Sequence, residues 1–77
     1  MTQRERIASY LRTYGSISPV EAFRDLGITK LATRVSEMRR EGSPIVGEPE
    51  TTKNRFGENV TYMRYRFAFP FEEENNG

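Results

Sequence analysis

The stretch "SPVEAFRDLGITKLATRVSEMRREG", residues 18–42, decides the fold. Ser18 is followed by Pro19 and then by Glu21, three residues on. A hydroxyl and a carboxylate at that spacing close a capping box, and Pro at the first helical position lacks only an N–H that has no partner there. A helix therefore starts at Pro19, with Ala22, Phe23 and Leu26 expected on its buried side. Gly27 stops it, because the residue just past a helix commonly takes the left-handed backbone that glycine tolerates. Ile28 lies in the turn. Thr29 is expected to cap the next helix, which runs to about Glu41 and stops at Gly42.

Two helices joined by a turn of about three residues that contains Gly have the sequence form of a helix-turn-helix. Upstream, Thr2 and Glu5 repeat the capping-box spacing, and Ile7, Tyr10, Leu11 and Tyr14 fall on one helical face before Gly15. "SIS" is short and extended, with Ile17 pointing inward and able to add a short third strand. Downstream, "PIVGEPE" suits an edge strand between Pro44 and Pro49. "TTKNRFGEN" reads as a loop with Asn54, Gly57 and Asn59 as turn formers. "VTYMRYRF" is β-branched and aromatic, placing Met63, Tyr65 and Phe67 on one face and Tyr62, Arg64 and Arg66 on the other. The expected organisation is a domain over residues 1–67 and an acidic, polar tail over 68–77. The fold class is α+β, mainly α: three helices followed by a two-stranded hairpin. The expected core is Ile7, Leu11, Ile17, Leu26, Ile28, Leu31, Val35, Met38, Ile45, Tyr65 and Phe67.

Composition narrows the chemistry. A chain of 77 residues buries only about 60% of its unfolded surface, so nearly every large apolar residue is needed in the core. With no Cys and no His, disulfides, thiolate metal sites, the commonest metal ligand and the commonest general acid/base are excluded. No paired carboxylates or Gly-rich phosphate loop stand out, so the expectation is a non-enzyme without cofactor, metal or small-molecule ligand. No apolar run approaches the roughly 18 residues of a membrane span, and the N-terminus has no signal-peptide pattern. A cytoplasmic protein is expected. The net charge is +1, but without Glu72, Glu73 and Glu74 the remainder carries +4. Residues 29–66 hold eight Lys/Arg against five Glu, a mildly basic body.

On a helical wheel of about 100° per residue, Val35 and Met38 lie within about 60° of Leu31 and form the core stripe. Lys30, Thr33, Glu37, Arg40 and Glu41 fall on the far side, with Arg34 and Ala32 on the flanks. A solvated face usually alternates Glu and Lys at i, i+4. Here the first turns carry Thr29, Lys30, Thr33 and Arg34, with no acid before Glu37. Short hydroxyls and cations are what a helix needs to approach base edges and phosphates in a major groove. Glu37 repels phosphate unless it accepts from a cytosine amino group. "KNRFGEN" adds Lys53, Asn54 and Arg55 at a hairpin tip, where cations can reach a minor groove or the sugar–phosphate backbone. Phe56 beside them is expected to tuck back onto the domain rather than meet a partner.

Together, "GSISPVEA", "LGI", "LATRVSEMRREG" with "PI", "KNRFG" and "RYRF" resemble the small winged helix-turn-helix domains of bacteriophages and prophages, over roughly residues 4–67. The resemblance implies a winged-helix fold and double-stranded DNA as partner, in a transcription-regulating or excision-type accessory role. By position it implies that Thr29, Lys30, Thr33 and Arg34 face the groove; Glu37 and Arg40, on the same side of the wheel, complete the candidate DNA-binding set on that helix. Lys53, Asn54 and Arg55 serve the wing, and Arg64 and Arg66 lie on the outer hairpin face within reach of the backbone. The competing expectation is a protein-interaction module in which Phe56, Tyr62, Phe69 and Phe71 meet another chain. Homodimerisation through "FAFPF" is one form of it. Strong salt dependence of binding separates the two.

Overall fold

A computed structural model of the chain describes residues 1–68. It shows α1 (Gln3–Tyr14), α2 (Pro19–Leu26), α3 (Leu31–Arg40), β1 (Ile45–Lys53) and β2 (Asn59–Phe67). Both expected capping boxes form. The Thr2 hydroxyl accepts from Glu5 N–H at 3.1 Å, and the Glu5 carboxylate accepts from Thr2 N–H at 2.8 Å. In α2, Ser18 Oγ accepts from Glu21 N–H at 3.2 Å, and Glu21 Oε1 accepts from Ser18 N–H at 3.0 Å. Gly27 ends α2 in the left-handed region at φ 70°.

The third cap differs from expectation. Lys30, not Thr29, is the N-cap of α3, and no side chain bonds its first-turn N–H groups. The first α-type bond runs from Arg34 N–H to Lys30 C=O at 3.1 Å. Thr29 stands one residue too early for its hydroxyl to reach the N–H groups that a cap satisfies. The connection between the helices therefore spans Gly27, Ile28, Thr29 and Lys30.

Ile7, Leu11, Ile17, Ala22, Ile28, Leu31, Val35, Met38, Ile45 and Tyr65 form the core. Leu26 and Phe67, both expected inside, pack against it half-buried. Phe23 is a correction: it is 64% exposed. A two-turn helix can bury only a narrow stripe, and Ala22 with Leu26, at i and i+4, already occupies it. Tyr14, at the last position of α1, is also exposed; its ring lies 4.6 Å from that of Tyr10.

The hairpin is longer and its turn tighter than the sequence suggests. β1 continues through Pro49 to Lys53, pairing antiparallel with β2 from Ile45↔Phe67 out to Lys53↔Asn59. Thr51, Thr52, Lys53 and Asn59 are strand rather than loop. The reason Pro49 is tolerated can be read from Tyr65. Tyr65 exchanges N–H and C=O bonds with Ile17, both at 2.9 Å, so those groups point away from β1. Gly47↔Tyr65 is therefore a non-hydrogen-bonded pair, and so is Pro49↔Met63 two residues along. The N–H that proline lacks has no ladder partner there. Ile17, anticipated as able to add a short third strand, makes a single antiparallel bridge to Tyr65 and no strand, so the sheet stays two-stranded.

Candidate nucleic-acid interface

The core stripe of α3 sets what its other sides can do. With Leu31, Val35 and Met38 buried, Ala32, Thr33, Ser36, Arg39 and Arg40 are exposed, as are Thr29 and Lys30 at its start. Thr33, Ser36 and Arg40 fall together on the side opposite the core. Ser36 is not singled out by a search for cations and hydroxyls in the first turns, although the wheel places it about 140° from Leu31, on the outer arc.

Arg34 and Glu37 lie on the flank toward α1, where they line a shallow cleft with Thr2, Gln3 and Arg4. Arg34 Nη1 donates to Glu37 at 3.0 Å, both side chains are half-buried, and Arg34 Nε is buried without a partner. Glu37 is thus neutralised by Arg34 rather than left to repel an anion. Arg4 pairs with Glu41 and ties the start of α1 to the end of α3. On the other flank, Arg39 Nε donates to Ile45 C=O at 2.9 Å, and its guanidinium carbon lies 5.8 Å from the Tyr65 ring centre.

At the hairpin tip, Asn54 is the organiser. Its Oδ1 accepts from Phe56 N–H at 2.9 Å and from Glu58 N–H at 3.0 Å, while its Nδ2 donates to the Glu58 carboxylate at 3.0 Å. The backbone closes the turn with Asn54 N–H to Glu58 C=O at 2.9 Å and Gly57 N–H to Asn54 C=O at 3.0 Å. Gly57 sits at φ 79°, a conformation that costs a side-chain-bearing residue energy. Lys53 Nζ donates to Asn59 at 2.8 Å. Phe56, expected to tuck back, is 83% exposed: the bonded turn aims it away from the domain.

Arg64 and Arg66 each meet carboxylates of the same chain. Arg64 donates to Glu50 at 2.9 Å, to Ser16 at 3.1 Å and to Glu21 at 3.0 Å, so it fastens β2 to α2 instead of lying on an open face. These contacts hold its guanidinium firmly charged, and Tyr62 and Arg64 pull the Glu50 carboxyl below its ordinary value. Arg66 donates to Glu48 at 3.1 Å.

Eleven of the twelve cations sort into two groups. Arg4, Arg24, Arg34, Arg64 and Arg66 each face a carboxylate of the same chain. Among the described residues, Lys30, Arg40 and Arg55 make no side-chain hydrogen bond or ion pair, and Arg6, Arg39 and Lys53 bond only neutral oxygens. Of these six, Arg6 is half-buried on α1, and the other five are exposed on α3, at its cap, or at the hairpin tip. The described residues contain no group of three or more His, Cys, Asp or Glu side chains placed to hold a metal. None of their helices is long and apolar enough to cross a membrane.

The family model for a winged helix-turn-helix domain matches residues 2–70. No curated protein and no solved structure matches the chain. Domains of this family bind DNA in general and are typically non-enzymatic. Three helices, a short turn into α3 and a hairpin directly after it agree with that match, and the chain belongs to the winged helix-turn-helix domain family.

Proposed function

We propose that the domain binds double-stranded DNA with α3 in the major groove and the hairpin tip on the adjacent minor groove or backbone. The observation that carries this reading is that the exposed carboxylate-free cations Lys30, Arg39, Arg40, Lys53 and Arg55 gather on α3, its cap and the tip, whereas Arg6, which also meets no carboxylate, is half-buried on α1 and donates to Leu26 C=O. Coulombic attraction to phosphates acts through cations whose charge is not already met within the protein. Lys30, Thr33, Ser36 and Arg40 form the groove-facing set, with Thr29 at its edge. Lys53 and Arg55 form the wing contact, held in place by Asn54. The uncapped N–H groups of Leu31, Ala32 and Thr33 add donors at the same end. Arg34 with Glu37 shapes the flank, and Arg64 with Arg66 supports the hairpin. The sequence resemblance supports a regulatory or excision-accessory role in a phage or prophage setting.

Amide chemical shifts recorded while a short duplex is titrated test this. The largest changes are expected at residues 29–40 and 53–58. Changes centred on α1 or the outer face of α2 would refute the assignment.

A second reading has one observation behind it. Val20 and Phe23, one turn apart on α2, are 66% and 64% exposed, a small apolar surface suited to a protein partner or a second copy. Sedimentation of the wild type and Phe23→Ser distinguishes a dimer through this face from a monomer.

A further inference from the structure

Phe56 presents a large apolar ring to solvent at 83% exposure, at the far end of the hairpin. Its immediate setting is polar and charged: Lys53, Asn54, Arg55, Glu58 and Asn59. The next exposed apolar side chains on the hairpin, Val60 and Met63, are 40% and 38% exposed and lie back along β2. A protein partner would need a contiguous apolar patch, whereas one ring beside two cations in the same turn suits a polyanion with an apolar interior. A DNA minor groove has phosphate rims and stacked base pairs beneath them.

The tip is also built to hold that ring outward. Asn54 Oδ1 binds the N–H groups of Phe56 and Glu58, and the Asn54 backbone closes the turn with Gly57 and Glu58. A rigid presentation reduces the entropy lost on insertion. The outer part of β1, from Glu48 to Lys53, is exposed throughout. At about 3.3 Å per residue this length of strand carries the tip roughly 20 Å from the body. Half a DNA turn, which separates a major groove from the neighbouring minor groove, is about 17 Å. The described residues extend 48 × 23 × 21 Å, in keeping with a projecting wing.

We propose that Phe56 acts as a wedge: it enters the minor groove and partly unstacks a base step while Lys53 and Arg55 hold the flanking phosphates. The domain then kinks the DNA it binds. This rests on the DNA reading above and adds to it a deformation that cations alone do not supply. Wedge side chains bend duplexes by about 20–90° toward the major groove.

The test compares two fluorescein-labelled duplexes of one sequence, one intact and one carrying a two-base mismatch that is easily kinked. Affinity is read by anisotropy for the full chain, Phe56→Ala, Phe56→Leu and Arg55→Ala. A wedge makes the wild type prefer the mismatched duplex by about tenfold, because the unstacking cost is already met there. Phe56→Ala brings the ratio near one with an unchanged thermal melt, Phe56→Leu keeps most of the preference, and Arg55→Ala weakens both duplexes alike. Equal preference in the wild type and Phe56→Ala, or none in the wild type, overturns the wedge while salt-dependent binding to both duplexes leaves the DNA reading standing. Failure of the wild type to bind either duplex overturns both.

Discussion

Arg64 and Ser18 share one oxygen of Glu21: Arg64 Nη1 and the Ser18 N–H each donate to Glu21 Oε1 at 3.0 Å. The carboxylate that closes the α2 cap is also the anchor of the hairpin. Replacing Arg64 with Ala should lower stability by about 1–3 kcal/mol, since it leaves half-buried acceptors without their charged donor. Arg64→Lys should recover little, because an ammonium cannot span Glu21 and Glu50 as the guanidinium fork does. Urea unfolding measures both. Duplex affinity below the unfolding transition should hardly change; a large loss at unaltered stability would place Arg64 on DNA instead.

Gly47 faces Tyr65 across the close, non-hydrogen-bonded kind of pair. A Cβ there would lie 2.9 Å from Met63 Cε and 3.0 Å from Tyr65 Cε1. The exposed end of Met63 can swing aside, but the buried Tyr65 ring must give by a few tenths of an ångström, so Gly47→Ala should cost roughly 1 kcal/mol for overpacking. Gly47→Val should cost more. A midpoint shift in urea with an unchanged slope checks this; a more stable Gly47→Ala would mean that the ring moves freely.

The α1–α2 contact gives the stability a defined pH profile. Tyr10 donates to Asp25 at 2.7 Å, and Arg24 donates to the same carboxylate at 2.9 Å. First Arg24 and then Tyr10 hold the Asp25 carboxyl down at about 2, and the bond to Asp25 pushes the Tyr10 hydroxyl up to about 12. A lowered acid stabilises above its ordinary value of 3.8 and loses that contribution as pH falls toward 2. A raised tyrosine stabilises below its ordinary 10.0 and loses it as pH rises toward 12. The melting-temperature difference between wild type and Tyr10→Phe should be level between these limits and shrink beyond both. A difference independent of pH would mean that the Tyr10–Asp25 bond contributes nothing.

Arg34 and Arg40 lie on the same helix in different settings. Arg34 is half-buried against Glu37 and the start of α1; Arg40 is exposed and makes no side-chain bond among the described residues. Arg40→Ala should weaken duplex binding and lower the salt slope by about one while leaving stability within about 0.5 kcal/mol. Arg34→Ala should show the reverse emphasis, with stability changed more than affinity. Equal losses of affinity would return Arg34 to the groove-facing set.

Much of this fold is legible in the sequence because its signals are local. The Thr2–Glu5 and Ser18–Glu21 boxes, the stops at Gly15 and Gly27, and the Leu31–Val35–Met38 stripe need no tertiary information. The misreadings arise where tertiary context decides. Thr29 looks like a cap, yet the turn delays α3 by one residue. "TTK" reads as loop until the ladder with Val60 and Thr61 is seen. Phe23 loses its place inside because Ala22 and Leu26 fill the narrow buried stripe of a short helix. The candidate site follows the same rule. Cations can be counted in the sequence, but which of them already meet a carboxylate depends on contacts such as Arg64 with Glu21, 43 residues apart. Phe69 and Phe71, expected at a protein interface, and the glutamates of the acidic tail lie outside the described residues.

On this reading the exposed carboxylate-free cations of α3 and the wing hold DNA. Anisotropy of a labelled random duplex across a salt series, with the wild type and the triple variant Lys30→Ala, Arg40→Ala, Arg55→Ala, tests it most directly. Four or five phosphate contacts predict a log–log slope of about −4 for the association constant. The triple variant, still folded by circular dichroism, should lose about three units of that slope. A slope unchanged in the triple variant, or wild-type binding indifferent to salt, would contradict the account.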